Sequence, residues 1–311
     1  MKKLWQFFVR TTFRVLLRVM RFMPWKPALA WAAAMGSIGY HLSARYRRVA
    51  DKNLRLAYGD EFTERERNAI TKRVFQNFAQ AALVEFLKSP TMTPDELRAR
   101  VRVPSFEPPD RLLALGKGLI VISAHFGNFE IMARRSAIEG YRFAVVARQS
   151  QDDGMNEITD YIRETGGYEV LPRGKSAKAV LQRLRKGGAV AILPDQKSED
   201  VFVPFFGRLT GTVAGPAVLA LKTGAPILPM FSIRRPDGTF DVEFCPEIDI
   251  TSTGDLEADT HRIMADITAQ IERVIRRHPE QWLWLHDRWR APVPEHLLAP
   301  AEDLAPTVGA T

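Results

Sequence analysis

Cysteine is almost missing from this chain: Cys245 is the single thiol in 311 residues. That excludes an intrachain disulfide framework and a multi-thiolate zinc site, and it fits a reducing compartment. Acidic residues are absent from the first 50 positions, which hold ten Lys or Arg, while the other 261 residues carry 34 bases against 36 acids. The formal charge of +8 is therefore a local property of the N-terminus. A nucleic-acid-binding body is excluded, because the body is slightly acidic and the N-terminal bases are mixed with apolar residues. There is no internal repeat and no GxSxG nucleophile elbow. "RGKS" at 173–176 ends like a phosphate loop, but Glu169 stands where its first glycine is required. His125 has no second histidine at helical spacing with which to share a metal, so none is expected.

What the N-terminus does contain is "LWQFFVRTTFRVLLRVMRFMPW". Arg10, Arg14, Arg18 and Arg21 recur at helical spacing between Leu4, Phe7, Phe8, Val15, Leu16, Val19, Met20 and Phe22. This pattern predicts a helix lying in a membrane interface, with Trp5 and Trp25 at headgroup depth. The arginines interrupt what would be the apolar region of a cleaved signal peptide, so the segment is expected to be kept as an anchor. The window 27–44 carries no charge over 18 residues but is Ala- and Gly-rich and contains His41, which leaves a span and a shallow or re-entrant helix both open. The Arg-rich flanks place the body on the cytoplasmic side. Docking of the basic helix on the body or on a partner is the alternative.

"TERERNAITKRVFQNFAQAALVEFLK" opens with Thr63 as an N-cap and Glu66 three residues on, and predicts an amphipathic helix with Ile70, Val74, Phe75 and Phe78 on one face. From residue 118 short apolar runs alternate with helical stretches. Strands are predicted at 119–124, 142–147, 168–171, 189–193, 226–232 and 239–245, and helices at 128–138, 154–165, 175–186, 213–223 and 256–277. The fold class is α/β, a mixed sheet flanked by helices with an N-terminal membrane-associated helical segment. The expected organisation is an anchor over 1–44, one domain over 45–290 and a disordered Pro- and Ala-rich tail over 291–311.

In an open α/β sheet reactive groups gather at the carboxyl ends of strands. "GLIVISAHFGNFE" puts His125 at such an end, with Gly127 for a tight exit, Asn128 as a helix cap and Glu130 in the first turn. Glu130 folding back onto the imidazole would fix its tautomer and make His125 a general base, whereas a hydrogen-bonded structural histidine has the same local pattern. A base with no protein nucleophile suits direct transfer, in which a hydroxyl attacks an acyl carbonyl.

"SAHFGNFE", "LPDQ", "VFVPFFG", "ALKTGAPILPMFSIRRPDG", "PEQWLWLHDRW" and the N-terminal "YRRVADKNLRLAYGD" together resemble the bacterial lipid A secondary (lauroyl/myristoyl) acyltransferases, in order over about residues 1–290. The resemblance implies a glycerolphosphate acyltransferase-like fold and an inner-membrane enzyme working at the cytoplasmic face. It implies transfer of a fatty acyl group from acyl carrier protein, which serves as donor substrate with no other cofactor, to a hydroxyl of a lipid A precursor. His125 would be the base and Glu130 its orienting partner, and the family's basic position after the second strand falls on Arg148. Asp195 and Gln196 fall where the family shapes its pocket. Phe202, Phe205 and Phe206 fall there too, and either line an acyl slot or belong to the core. Arg173, Lys175 and Lys178 are candidates for contacts with the acidic carrier protein or lipid phosphates, or form a solvated face. Trp282, Trp284 and Trp289 are expected to pack, and His286 to be structural. Another glycolipid, such as a phosphatidylinositol mannoside, or a lysophospholipid would use the same base. A non-catalytic lipid-binding relative is the reading from a different class.

Overall fold

The structure, a computed structural model, describes residues 11, 15, 19, 22–147, 153–172 and 177–297. Arg148, Arg173, Lys175 and most of the tail lie outside the described residues, as does most of the arginine-rich N-terminal stretch. The first fully described helix, α1 (Trp25–Leu42), buries Ala28, Leu29, Ala32 and Gly36. A Cβ on Gly36 would stand 2.5 Å from the carbonyl oxygen of Phe75, so the small residues of this window let α1 lie close against α3. The opposite side of α1 leaves Trp31, Ile38 and Leu42 exposed. Among the described residues no helix is long and apolar enough to cross a membrane.

Helix α2 (Ala44–Tyr58) leads to α3 (Glu64–Gln80), which starts with the expected capping box between Thr63 and Glu66. The expected face of α3 is inward at Ile70, Val74 and Phe75 but not at Phe78. Arg67, Thr71, Val74, Phe75 and Ala79 are buried, and Phe78 is exposed. The helix continues through a π turn over Ala81–Glu85, which turns Glu85 into the interior, 1% exposed.

After α4 (Pro94–Arg100), β1 (Val101–Arg102) and α5 (Glu107–Leu113) come β2 (Leu119–Ile122), α6 (Phe129–Ile138), β3 (Phe143–Ala147), α7 (Asp153–Thr165), β4 (Glu169–Pro172), α8 (Ala177–Arg185) and β5 (Ala189–Ile192). The hairpin β6 (Val201–Phe205) and β7 (Arg208–Thr212) follows, then α9 (Gly215–Thr223), β8 (Ile227–Arg234), β9 (Phe240–Phe244) and α10 (Leu256–Arg277). Among the described residues seven strands form one sheet in the order β1-β9-β8-β2-β5-β3-β4. It is mixed, because β8 and β9 pair antiparallel and the other neighbours are parallel. All six strands and five helices predicted from residue 118 onward are present; the β6–β7 hairpin and β1 were not anticipated.

The strands alternate side chains between two helix-covered faces. Ile120, Ile122, Val190, Ile227 and Phe231 join the large core with α10, while Leu119, Phe143, Val145 and Ala189 face the other way, toward the α6 side. His125 follows β2 at the centre of the sheet. Gln196 follows β5, the parallel neighbour of β2.

Candidate active site

The loop between β2 and α6 is held from several sides. The Gly127 amide donates to the carbonyl of Gln281 at 3.0 Å, and the Leu283 amide donates to the carbonyl of His125 at 3.0 Å. Gly127 has φ +57°, and a Cβ there would lie 1.8 Å from the Ser232 carbonyl oxygen, so only glycine fits. Asn128 caps α6 through Oδ1, which accepts from the Ile131 amide at 3.0 Å, while its Nδ2 donates to Glu85 at 2.7 Å. Glu85 is also bound by both terminal nitrogens of Arg234, one of them at 2.8 Å. The π turn, the end of β8 and the cap of α6 therefore meet in one buried charged cluster directly behind the histidine loop.

The imidazole is oriented by Asp195. Its Nδ1 is 2.8 Å from Oδ1 of Asp195, and the backbone amide of His125 donates to Oδ2 at 2.8 Å. The indole of Trp282 donates to the same Oδ2 at 2.9 Å. Burial, the largest influence on Asp195, favours its protonated form, but the charge of His125 and these donors outweigh it and hold the carboxyl below its usual range. A carboxylate has no hydrogen to donate, so Nδ1 carries the proton and the Nε2 lone pair is left for chemistry. Burial likewise pushes the pKa of His125 down, and the negative charge and hydrogen bond of Asp195, with the charge of Glu130, bring it above the ordinary histidine value. The amide nitrogen of Gln196 stands 3.3 Å from Nε2.

This geometry corrects the expected role of Glu130. Its carboxylate accepts from Arg163, at 2.5 Å from Nη2 and 3.1 Å from Nε, and from the hydroxyl of Tyr168. It is not hydrogen-bonded to the imidazole among the described residues. Helix α6 begins between the two residues, and the Glu130 carboxylate meets Arg163 of α7 and Tyr168 while lining the same cleft as His125. It remains in the site as one of the charges acting on His125.

Three spaces adjoin the site. An apolar cavity lies between α6 and one face of the sheet, walled by alternate residues of three adjacent strands: Leu119 and Val121, Phe143 and Val145, Ala189 and Ala191. Ser123 also faces it, with a buried hydroxyl that lacks a hydrogen-bond partner among the described residues. A second, largely apolar cleft runs from His125 along Phe78, Ala81, Ala82 and Phe86. The third and widest opens past His125 and Gln196 and carries Arg163, Lys178 and Lys222 on its walls. Phe129, Val145 and Leu193 line both this cleft and the apolar cavity, so the cavity ends beside His125. Phe129 stacks edge-on to the imidazole with ring centroids 5.6 Å apart.

Phe205 and Phe206 do not line these spaces. Phe205 packs on Trp282 and Trp289 with centroids 5.7 and 5.5 Å apart, and Phe206 on Tyr58 and Trp284 at 5.2 and 5.9 Å. Phe202 is buried and also absent from the walls, so the three phenylalanines are core. Phe206 and Gly207 form the β6–β7 turn with φ +52° and +69°, a left-handed pair that suits a tight hairpin. In β7 the hydroxyls of Thr210 and Thr212 donate to the carbonyls of Arg288 and Pro194. His286 accepts from the Lys197 amide at 3.2 Å and holds the loop after Gln196. The backbone amides of Phe126, Gly127 and Asn128 donate to the carbonyls of Ala124 and Gln281 and to the hydroxyl of Ser232.

Among the groups the sequence did not single out, Arg163 and Tyr168 hold Glu130, and Glu85 with Arg234 holds the loop. "PEQWLWLHDRW" was noted for packing, yet it supplies the Trp282 donor to Asp195. Among the described residues no cluster of His, Cys, Asp or Glu could hold a metal ion.

The family model for the bacterial lipid A biosynthesis acyltransferases matches residues 3–291. The chain is 24% identical over 279 residues to the lipid A biosynthesis lauroyltransferase of Escherichia coli strain K12, covering 86% of this chain and 87% of that one. It is 26% identical over 273 residues to the palmitoleoyltransferase of the same strain, covering 85% of each. A phosphatidylinositol mannoside acyltransferase of Mycobacterium tuberculosis is 32% identical over 193 residues, and that match spans 60% of this chain and 59% of the relative's length. With a match that runs over nearly the whole sequence, the chain belongs to the bacterial lipid A biosynthesis acyltransferase family.

Proposed function

We propose that the protein transfers a fatty acyl chain from acyl carrier protein to a hydroxyl of a lipid A precursor at the cytoplasmic face of the inner membrane, with His125 as general base. The observation that carries this reading is the junction at His125. A histidine with Nδ1 held by a buried carboxylate stands where an apolar cavity meets an open cleft. The acyl chain lies in the α6 cavity, and the acceptor hydroxyl approaches Nε2. His125 takes the hydroxyl proton as the oxygen attacks the thioester carbonyl carbon. The tetrahedral intermediate then expels the thiolate, which recovers the proton from the imidazolium, and Asp195 stabilises that cation throughout. The Gln196 amide, 3.3 Å from Nε2, is the group that turns to the carbonyl oxygen as it gains charge. Lys178 and Lys222 on the wide cleft suit the acidic carrier. Exposed Val15, Val19, Phe22, Trp31, Ile38 and Leu42 supply an apolar surface toward lipid.

A second acceptor is supported by one comparison, the 32% identity to a phosphatidylinositol mannoside acyltransferase. The same residues would serve either acceptor. The test is acyl transfer by the full chain in detergent micelles, with a panel of acyl-carrier donors, a tetra-acylated lipid A precursor or a phosphatidylinositol mannoside, and products read by mass spectrometry. The lipid A reading predicts a gain of one acyl chain on the precursor, absent with His125→Ala. A gain only on the mannoside moves the acceptor, and transfer that survives His125→Ala contradicts the base.

A further inference from the structure

A polar pocket that the transfer step leaves unused lies behind the His125 loop. Its walls are the start of α1 with Lys26 and Leu29, α3 with Arg73, Asn77 and Gln80, the turn between β8 and β9, and Glu280 with Gln281. Lys26, Arg73 and Arg235 come to it from three elements far apart in sequence, and all three are exposed. Among the described residues neither the Lys26 nor the Arg73 side chain has an ion-pair or hydrogen-bond partner, and the Arg235 side chain has one, 3.4 Å from Asp241. Other surface arginines are matched to carboxylates, among them Arg98, Arg102, Arg111 and Arg277. Two acids share the wall, Asp237, which accepts from the amide and hydroxyl of Thr239, and Glu280, which accepts from Gln281, so three cations face two carboxylates there. Arg234 is already neutralised by Glu85.

Cations gathered in one concavity repel each other unless an anion joins them, and guanidinium and ammonium groups are the usual donors to phosphate. The pocket is also continuous with the site. Asn77, Glu280 and Gln281 line both it and the apolar cleft that reaches His125, and the Gln281 carbonyl accepts from Gly127. We infer that Lys26, Arg73 and Arg235 bind a phosphate group carried by the acceptor lipid while its hydroxyl reaches His125 through the apolar cleft. The inference rests on the acyl-transfer reading above. Gripping the acceptor at a charged end and at the reacting end selects which of its hydroxyls is presented to the base.

The test uses the full chain in micelles and a lipid A precursor with and without its phosphates. Lys26→Gln, Arg73→Gln and Arg235→Gln are combined in one variant; all three side chains are exposed, so the fold is expected to be kept, as circular dichroism would check. The KM for the phosphorylated precursor is expected to rise by about tenfold or more, with kcat within about twofold, the size of losing charged hydrogen bonds. The KM for the dephosphorylated precursor is expected to be equal in wild type and variant. An unchanged KM for the phosphorylated precursor overturns the pocket and leaves acyl transfer standing. No transfer by wild type to any acceptor overturns the transfer reading instead. Binding of the phosphorylated precursor to His125→Ala protein, with and without the three substitutions, reads the pocket without turnover, and equal affinity there overturns it. Inorganic phosphate and phosphatidylglycerol serve as competitors. Displacement by either at concentrations like that of the precursor assigns the pocket to free anion or to bulk membrane headgroups, and overturns its assignment to the acceptor.

Discussion

At the scale of single residues, the site depends on buried carboxylates met by several donors. Asp195 stays ionised because three donors converge on it, and that charge in turn fixes the tautomer of His125. Glu85 is held by Arg234 and Asn128 behind the same loop. Removing one member of such a buried pair leaves the other charge uncompensated, which costs about 3–5 kcal/mol. Arg234→Met is therefore expected to lower unfolding stability by roughly that amount, as read by urea denaturation. A loss within about 0.5 kcal/mol, typical of a surface substitution, would show that the pair does not hold the loop. His125 was legible in the sequence as the polar residue that ends an apolar strand. Its partner was not, because Asp195 lies 70 positions away and is brought in by the pairing of β2 with β5. Glu130 sits five residues from His125 and invited the local pairing, but a helix starting at Phe129 sends it to Arg163 and Tyr168.

At the scale of elements, the alternation of β2, β3 and β5 decides where an acyl chain fits. Leu119, Val121, Phe143, Val145, Ala189 and Ala191 line the α6 cavity because residues two apart share a face. Ala191→Phe is expected to fill part of this space and shift the preferred donor to shorter acyl chains, measured as relative kcat/KM over a donor panel. Phe205→Ala, in the core beneath the tryptophans, is expected to cost about 3–5 kcal/mol of stability without changing chain preference. The reverse pattern would return the acyl slot to the hairpin. Most strands were readable as short apolar runs closed by glycine, proline or charge, and β9 by the alternation of Phe240, Val242 and Phe244 with Asp241 and Glu243. The β6–β7 hairpin was missed because Pro204 interrupts its first strand and a phenylalanine occupies a turn position usually given to Asn or Gly. The Ala- and Gly-rich window at 27–44 looked like a near-span, yet its small residues serve close packing of α1 on α3.

At the scale of the whole molecule, the proposed attachment to lipid rests on exposed apolar side chains of the N-terminal helices and of the apolar cleft. Phe22 is 81% exposed and Leu42 80%, and Phe78 at the mouth of the cleft is 56% exposed, far more than solubility alone favours. The combined substitution of Phe22, Trp31 and Leu42 by Glu is expected to weaken sedimentation with anionic vesicles by about tenfold or more. Undiminished binding would separate membrane attachment from this surface. On the proposed reading the acceptor lipid enters by the cleft that runs from Phe78 to His125, and the donor by the cleft that carries Lys178 and Lys222.

The central claim is that His125, held by Asp195, is the base for acyl transfer, and the pH dependence of kcat/KM tests it most directly. The base works only when neutral, so transfer is lost as pH falls through the pKa of His125. Because that pKa is raised, the account predicts an acid limb above the ordinary histidine value of 6.5 in wild type. Asp195→Asn removes the opposing charge and leaves burial dominant. The limb should move to lower pH while the plateau falls by on the order of 10²–10⁴, as expected when a base loses its orienting carboxylate. A limb that stays in place, with the plateau retained in Asp195→Asn, would contradict the account.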